Sequence, residues 1–495
     1  MKNSKLTKAI LAVVAIATMG TGCATTQQAF AQGNEYTFKL GFPSGDTAQA
    51  ANDATDLRRA IEAYKFFYPT VATEGVFQQF EPHGMLWNEV GIIMPQDPEQ
   101  QFLYANQDTP YLMSFLDLKD AGPIVLELPA GPYIGVFMDH NEEWIGDIGL
   151  IGPNKGKGDR AIVLPPDFNG EVPLGYTPYY AKTWKVAVFN RILSKTGSYK
   201  EALDYAHQLK VYPLTEAAFT PTYRVVDIAG KPAPSPLLKW QKNMEYWRML
   251  HKAISDEPSQ ERFRAMYGML AQLGIEKGKP FAPDKRMQGI LSKAAEIGYD
   301  ELTVTFFDHP RDEKIVWKGL QWEYIPVTGA LDLLTKDFGN ANSRDLLTSD
   351  AYFSAGWGTS AAIGVRKAGA GSMYYTTPRD ATGSYLDGGK NYKLTIPGPV
   401  PAKLFWSVTV YDSATRTIID SGQGRGAVRS LFEKPSANPD GSFDIYFGPK
   451  APPGKENQWV QTVPGKGWFT CVRLYFPEAS AFDGTYKLPD IEKIK

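Results

Sequence analysis

The sequence predicts an α+β protein, mostly β with a helical middle segment, in which two antiparallel β-sandwich or jelly-roll-like domains are linked by helices. Three observations carry that expectation. Beyond about residue 370, apolar and polar residues alternate with period two. Between about 120 and 192, short apolar runs are closed by Gly or Pro. Between about 236 and 299, apolar residues recur at spacings of three and four.

The first residues read as an address and stand outside the fold. "MKNSKLTK" supplies three lysines, "AILAVVAIATM" is too short for an ordinary transmembrane helix, and Ala29-Phe30-Ala31 is a small-x-small cleavage site. A signal peptide over 1–31 and a periplasmic or secreted mature chain are expected. In the alternative, "GTGC" makes Cys23 a lipidated N-terminus, although Gly20 stands where such signals usually carry Leu. No other stretch approaches a membrane span, so none is expected after export.

Residues 51–68, "ANDATDLRRAIEAYKFFY", have helical spacing, and Pro69 is expected to end them. "PIVLELP", "PYIGVFMD", "AIVLPP" and "WKVAVFNRI" then read as strands of a β-rich domain over 50–215. In the connecting region, 216–369, "PLLKWQKNMEYWRMLHKAI", "SQERFRAMYGMLAQLGI" and "PDKRMQGILSKAAEIGY" read as helices. The last block, 370–495, reads as a β-sandwich. "NYKLTI" places Tyr392, Leu394 and Ile396 on one face, "LFWSVTVYD" repeats the pattern with Leu404, Trp406, Val408 and Val410, and "SFDIYF" with Phe443, Ile445 and Phe447. "LDGGKN" and "NPDG" supply the turns.

Composition narrows the function classes. A net charge of −2 with no long run of one sign removes nucleic acid and anionic lipid as electrostatic partners. The 26 Tyr, 26 Phe and 11 Trp suit β-sheet packing. Of the two cysteines, Cys23 lies in the leader, so Cys471 has no partner for a disulfide and reads as an inert thiol in a strand. The serine-hydrolase elbow, zincin, P-loop and dinucleotide motifs are absent, so no nucleotide or flavin cofactor is indicated. "GQGRG" at 422–426 reads as a loop.

"GSMYYTTPRDATGSYLDGGKNYKLTIP", "PAKLFWSVTVYDSATRTIIDSGQ", "NPDGSFDIYFGPKAP" and "GWFTCVRLYFPE" together resemble the bacterial domain-of-unknown-function family 1214. "NQDTPYLMSFLDL", "GPIVLELPAGPYIGVFMD" and "DRAIVLPPDF" resemble family 1254, which commonly precedes it in one chain. The resemblance implies two β-rich domains with helices between them, and no agreed activity.

Candidate sites therefore rest on chemistry. "MDHNEEWIGDIG" gathers Asp139, His140, Asn141, Glu142, Glu143 and Asp147 at a strand end, a set that suits a divalent cation or an acid–base pair. A solvated loop is the alternative. His309, in "FDHPRDE", has acids beside it but a turn explains them. In "ANQDTPYLMSFLDL", Asn106 and Asp108 can close Asx turns before Pro110. If this strand neighbours "PYIGVFMD", Asn106, Asp108 and Tyr111 would share a rim with Asp139 and His140.

The C-terminal sheet offers a second face, with Phe405, Ser407, Thr409 and Tyr411 beside Phe469, Cys471, Arg473 and Tyr475. It suits a sugar or a small acid, or contact with the other domain. Two functions follow. One is a hydrolase of a small organic ester, phosphoester or glycoside, with Asp139, His140 and Asp108 catalytic, a divalent metal as the one cofactor the residues suit, and Asn106, Tyr111, Arg473 and Tyr475 holding the small-molecule ligand. The other is a non-catalytic envelope or periplasmic ligand-binding protein. Either is compatible with a homo-oligomer.

Overall fold

The computed structural model describes residues 36–193, 198–219, 222–232, 239–308, 314–325, 342–347, 349–350, 368–369 and 371–495. Residues 1–31, read above as a signal peptide and including Cys23, lie outside the described residues, as does His309. Two compact units are separated at Arg58/Arg59. In the first, a small hairpin of β1 (Phe38–Lys39) and β2 (Phe42–Pro43) precedes the helix Gly45–Phe80, which runs on into the second.

The second unit, 59–495, contains both β-rich portions expected from the sequence, and its strands are mostly antiparallel. A six-stranded sheet has the order β12 (Arg224–Asp227), β3 (Val90–Met94), β4 (Tyr111–Asp117), β10 (Lys185–Ile192), β6 (Tyr133–Asp139), β7 (Trp144–Gly149). A four-stranded sheet has the order β11 (Lys210–Pro213), β5 (Ile124–Leu128), β8 (Asp159–Leu164), β9 (Thr177–Tyr180). Leu112, Leu116, Phe137 and Val188 of the first meet Leu126, Ala161 and Val163 of the second in one apolar cluster.

The C-terminal portion repeats the design. A five-stranded sheet, β13 (Glu323–Tyr324), β14 (Ser372–Thr377), β20 (Trp468–Pro477), β16 (Ala402–Asp412), β17 (Ala427–Arg429), packs on a four-stranded one, β19 (Trp459–Gln461), β18 (Phe443–Gly448), β15 (Asn391–Ile396), β21 (Glu492–Ile494). Val408, Val410, Val472 and Leu474 fill the space against Leu394, Ile396, Ile445 and Phe447. The expected sandwich over the last block is present, built by the period-two alternation.

A third cluster joins the two portions. Met113, Phe115, Met138, Ala187 and Phe189, on the other face of the six-stranded sheet, meet Val76, Phe77 and Phe80 of the long helix, Phe306, and Tyr374, Tyr411, Phe469 and Cys471 of the C-terminal sheet. The six-stranded sheet is thus covered on both faces. That explains why every residue of β10 is buried and why its sequence reads as a nearly continuous apolar run.

The connecting region carries the helices Met244–Asp256, Arg264–Gln272 and Lys285–Asp308, matching the three periodic stretches, but it also supplies β12 to the edge of the six-stranded sheet and β13 to the edge of the five-stranded one. One boundary departs from expectation. Pro69 does not end its helix but lies inside Gly45–Phe80. Proline in a helix interior costs roughly 3 kcal/mol. Val71, Ala72, Val76, Phe77 and Phe80, all buried beyond it, outweigh that cost.

Candidate functional site

The six-stranded sheet decides which candidate residues meet. β10 lies between β4 and β6, pairing Arg191 with Tyr111 on one side and Val186 with Asp139 on the other. Tyr111 and Asp139 therefore sit at opposite ends of the sheet, five residues apart along β10, or roughly 17 Å at strand rise. The shared rim expected from the sequence is not formed. Asp108, three residues before Tyr111, does not meet Asp139 or His140.

At the first end, the loop before β4 is shaped by Asn106. Its Oδ1 accepts the backbone N–H groups of Asp108 and Thr109 at 3.1 and 3.2 Å, the Asx turn read in the sequence, and its Nδ2 donates to the Tyr111 hydroxyl at 3.1 Å. The C-terminal sheet grips this loop. Arg473 donates to the carbonyls of Tyr104 and Ala105 at 3.1 and 3.2 Å and to Thr409 Oγ1 at 2.9 Å, and Arg429 donates to the Gln107 carbonyl at 2.6 Å. Ser407 and Tyr475 donate to Asp108 Oδ2 at 2.7 and 2.6 Å. Burial, and then the Asp108 charge, push the Tyr475 phenol well above its usual range.

The loop candidates and the C-terminal-face candidates, separate in the sequence, thus form one junction. Most of the C-terminal face serves contact between the two β portions, with Tyr411, Phe469 and Cys471 in the shared core. The Cys471 thiol is buried, and burial raises its pKa, consistent with an inert side chain.

Arg191, at the end of β10, is the residue that sequence reasoning missed. Its Nε donates to the Tyr111 hydroxyl at 2.9 Å, its Nη2 donates to the same oxygen, and Nη2 lies 3.5 Å from the Tyr374 hydroxyl. The guanidinium also faces the rings of Tyr111 and Tyr475, at 5.2 and 5.7 Å from their centroids. Arg191 is only 8% exposed, and among the described residues no carboxylate pairs with it. The available signal was an arginine near the end of the apolar strand "WKVAVFNRI".

At the opposite end, Asp139 and His140 are each 1% exposed, so the solvated loop considered for this cluster is not what the chain builds. The long helix and Met244–Asp256 cover it. His140 Nδ1 stands 2.9 Å from Glu257 Oε1, and the Glu257 carboxylate accepts the backbone N–H groups of Trp184 and Lys185 at 2.6 and 3.1 Å. His140 Nε2 lies 3.7 Å from Glu74 Oε2, and Glu74 also faces Lys185 and Lys252. Burial alone would raise the Glu74 carboxyl, but Lys185 foremost, with His140 and Lys252, holds it below its usual range.

Asp139 closes the β6–β7 turn. Its Oδ1 accepts the N–H groups of Asn141 and Glu143 at 2.8 and 2.9 Å. Burial first, then Glu143, push its carboxyl up to about 8. Glu142, in left-handed backbone at φ 60°, has neither carboxyl oxygen hydrogen-bonded, and burial with the Asp139 charge pushes it well above the usual range. Glu143 pairs with Arg262 at 2.7 Å. Among the described residues, no group of three or more His, Cys, Asp or Glu side chains is placed to hold a metal ion. This end is a buried ionic lock between the turn and two helices.

Among solved structures, the crystal structure of the VPA0106 protein from Vibrio parahaemolyticus is similar, with a TM-score of 0.53 and 19% identity over 89% of this chain and 100% of that one. This likeness concerns the fold alone. A putative uncharacterized protein from Burkholderia cenocepacia aligns with 90% of this chain and 96% of its own at 11% identity and a TM-score of 0.39. No curated protein matches. Residues 87–213 match the model of DUF1254, and residues 371–479 match that of DUF1214, each described as a protein of unknown function, in the order the sequence indicated.

Proposed function

We propose that this is an exported protein that binds a small organic acid at the junction of its two β portions, with Arg191 and Tyr111 taking the acid's oxyanion. One observation carries the reading: a buried guanidinium without an acid of its own. A charge taken out of water costs several kcal/mol unless it is paired, and buried arginines are ordinarily paired. Arg191 spends Nε and Nη2 on phenol oxygens and leaves Nη1 without a partner among the described residues.

Tyr111 adds a second donor. Its oxygen receives N–H groups from Arg191 and Asn106, so its own proton is left for another acceptor. A guanidinium edge and a phenol O–H side by side suit a carboxylate. Tyr374 and Tyr475 lie beside the guanidinium, and the Phe405 and Tyr475 rings have centroids 4.2 Å apart at a tilt of 34°. Export rests on the leader read in the sequence.

The hydrolytic alternative requires an acid and a histidine open to one reacting atom, whereas His140, with its neighbouring acids Asp139, Glu74 and Glu257, is 1% exposed and Asp108 stands at the other end of the sheet. Binding is therefore the better-supported reading. Calorimetry against a panel of aliphatic and aromatic monocarboxylates tests it. At least one acid should bind, with Tyr111→Phe and Arg191→Met each weakening it roughly tenfold to a hundredfold, as expected for one charge-assisted hydrogen bond of about 1.5–3 kcal/mol. Tyr111→Phe keeps the ring and guards against a folding artefact. Absence of binding by every acid, or full affinity in both variants, overturns the reading.

A further inference from the structure

The small hairpin that precedes the long helix is apolar where it meets solvent. Its strands pair Phe38 with Pro43 and Lys39 with Phe42, and Leu40 and Gly41 form a two-residue turn with φ of 54° and 83°. Both turn residues are left-handed, a geometry that favours Asn or Gly at the first position. Leu40 occupies that position instead and is 91% exposed, while Phe42 is 73% and Phe38 62% exposed. A large apolar residue placed at backbone cost on a solvated tip is not explained by the hairpin's own stability.

The base of this finger is fixed. Ser44 N–H donates to the Thr37 carbonyl at 3.0 Å, the hydroxyls of Thr37 and Ser44 are 2.8 Å apart, and Thr47, in the first helical turn, donates its N–H to Ser44 Oγ at 3.2 Å. The tip is thus held out on a defined stem.

Neighbouring positions of a strand point to opposite faces, and Phe38 and Phe42 belong to different cross-strand pairs. The finger is therefore apolar on both faces as well as at its tip. A flat protein partner would cover one face, whereas lipid surrounds an inserted element. Lys39 shares the face of Phe42, where its stem can follow the ring while the amine reaches headgroup phosphates. Phe38 is the fifteenth residue after Cys23 and the seventh after Ala31, so either processing route expected from the sequence puts the finger close to the exported N-terminus.

We propose that the Phe38–Leu40–Phe42 finger inserts shallowly into the surface of a lipid bilayer. The inference is independent of the acid-binding site and rests on export only for the membrane's identity. Three apolar side chains give weak, reversible attachment, of the kind that needs a second anchor to become stable, and an acyl group on Cys23 would supply one.

The test uses the full chain carrying Cys23→Ser, so that no acyl group contributes, with and without Phe38→Ser, Leu40→Ser and Phe42→Ser. Flotation with vesicles of phosphatidylethanolamine and phosphatidylglycerol is expected to show at least about a tenfold loss of partitioning on removal of the three side chains. Helical circular dichroism and melting temperature should be unchanged. Equal partitioning of the two proteins, or none by either, overturns the proposal. Light scattering that shows a finger-dependent dimer in the absence of vesicles also overturns it, because a second copy would then be the occupant.

Discussion

Tyr475 donates its hydroxyl to Asp108 Oδ2 at 2.6 Å, tying the last long strand to a loop 367 residues earlier in the chain. The bond joins the two β portions from the same face of β20 as the Arg473 clamp. Ser407 shares the same carboxylate oxygen, so Asp108 is held by two hydroxyls rather than by a cation. Removing one of them leaves a buried acceptor poorly satisfied.

Tyr475→Phe should therefore lower stability by about 1–3 kcal/mol. In a double-mutant cycle with Asp108→Asn, the coupling should exceed roughly 0.5 kcal/mol, since the residues are in direct contact. Urea denaturation of the four proteins measures it, and additive losses would show the bond to be idle.

His140→Ala should be destabilising rather than neutral. The ring is buried between Glu257 and Glu74, and deleting it leaves their buried carboxyl oxygens without that partner, at a cost of about 1–3 kcal/mol. Acid binding at Arg191, by contrast, should be retained below the new melting temperature. Calorimetry and thermal denaturation of the same sample separate the two effects.

The raised Asp139 carboxyl gives stability a defined pH dependence. Its folded pKa, about 8, lies above the unfolded value near 3.9, so between these limits the folded state holds the extra proton. The contribution is fully present below about pH 4 and declines as pH rises to about 8. The urea midpoint should fall across pH 5–8, and Asp139→Asn should reduce that slope. Glu74, held below its usual range, acts in the opposite sense and loses its contribution only as the solution becomes more acidic.

Glu142→Gly should stabilise the protein. The substitution relieves a left-handed backbone that glycine adopts without strain and removes a buried carboxyl with no hydrogen-bond partner. A gain of about 1 kcal/mol or more is expected, and a lower melting temperature would show that the carboxyl has an unseen structural use.

The sequence made local structure legible and long-range order much less so. Alternation in "NYKLTI" and "LFWSVTVYD" identified strands and faces because the side-chain period is a local property. The Asn106 turn was readable for the same reason. The shared rim failed because it assumed that β4 and β6 are neighbours. β10, more than forty residues after β6, lies between them, and nothing in either strand encodes that insertion. Pro69 misled because its cost is local, whereas the burial that outweighs it comes from strands and helices far along the chain. Arg191 was passed over because a single arginine at a strand end has no periodic signature; its meaning depends on which acids are near it.

The place of β10 also sets an order of assembly. The pairs β3–β4 and β6–β7 are each complete by Gly149, yet both wait for residues 185–192 to fill the gap between them. During synthesis the nascent chain therefore carries two unpaired strand edges, apolar on both faces, until the joining strand emerges. That strand carries Arg191 at one end and Lys185 at the other, so its arrival joins the two pairs and places both cations, while the outer edge of β3 waits for β12 and the ionic lock waits for Glu257. A chaperone that shields exposed edges would act in this interval, which ends for β4 and β6 with β10 and for β3 only with β12.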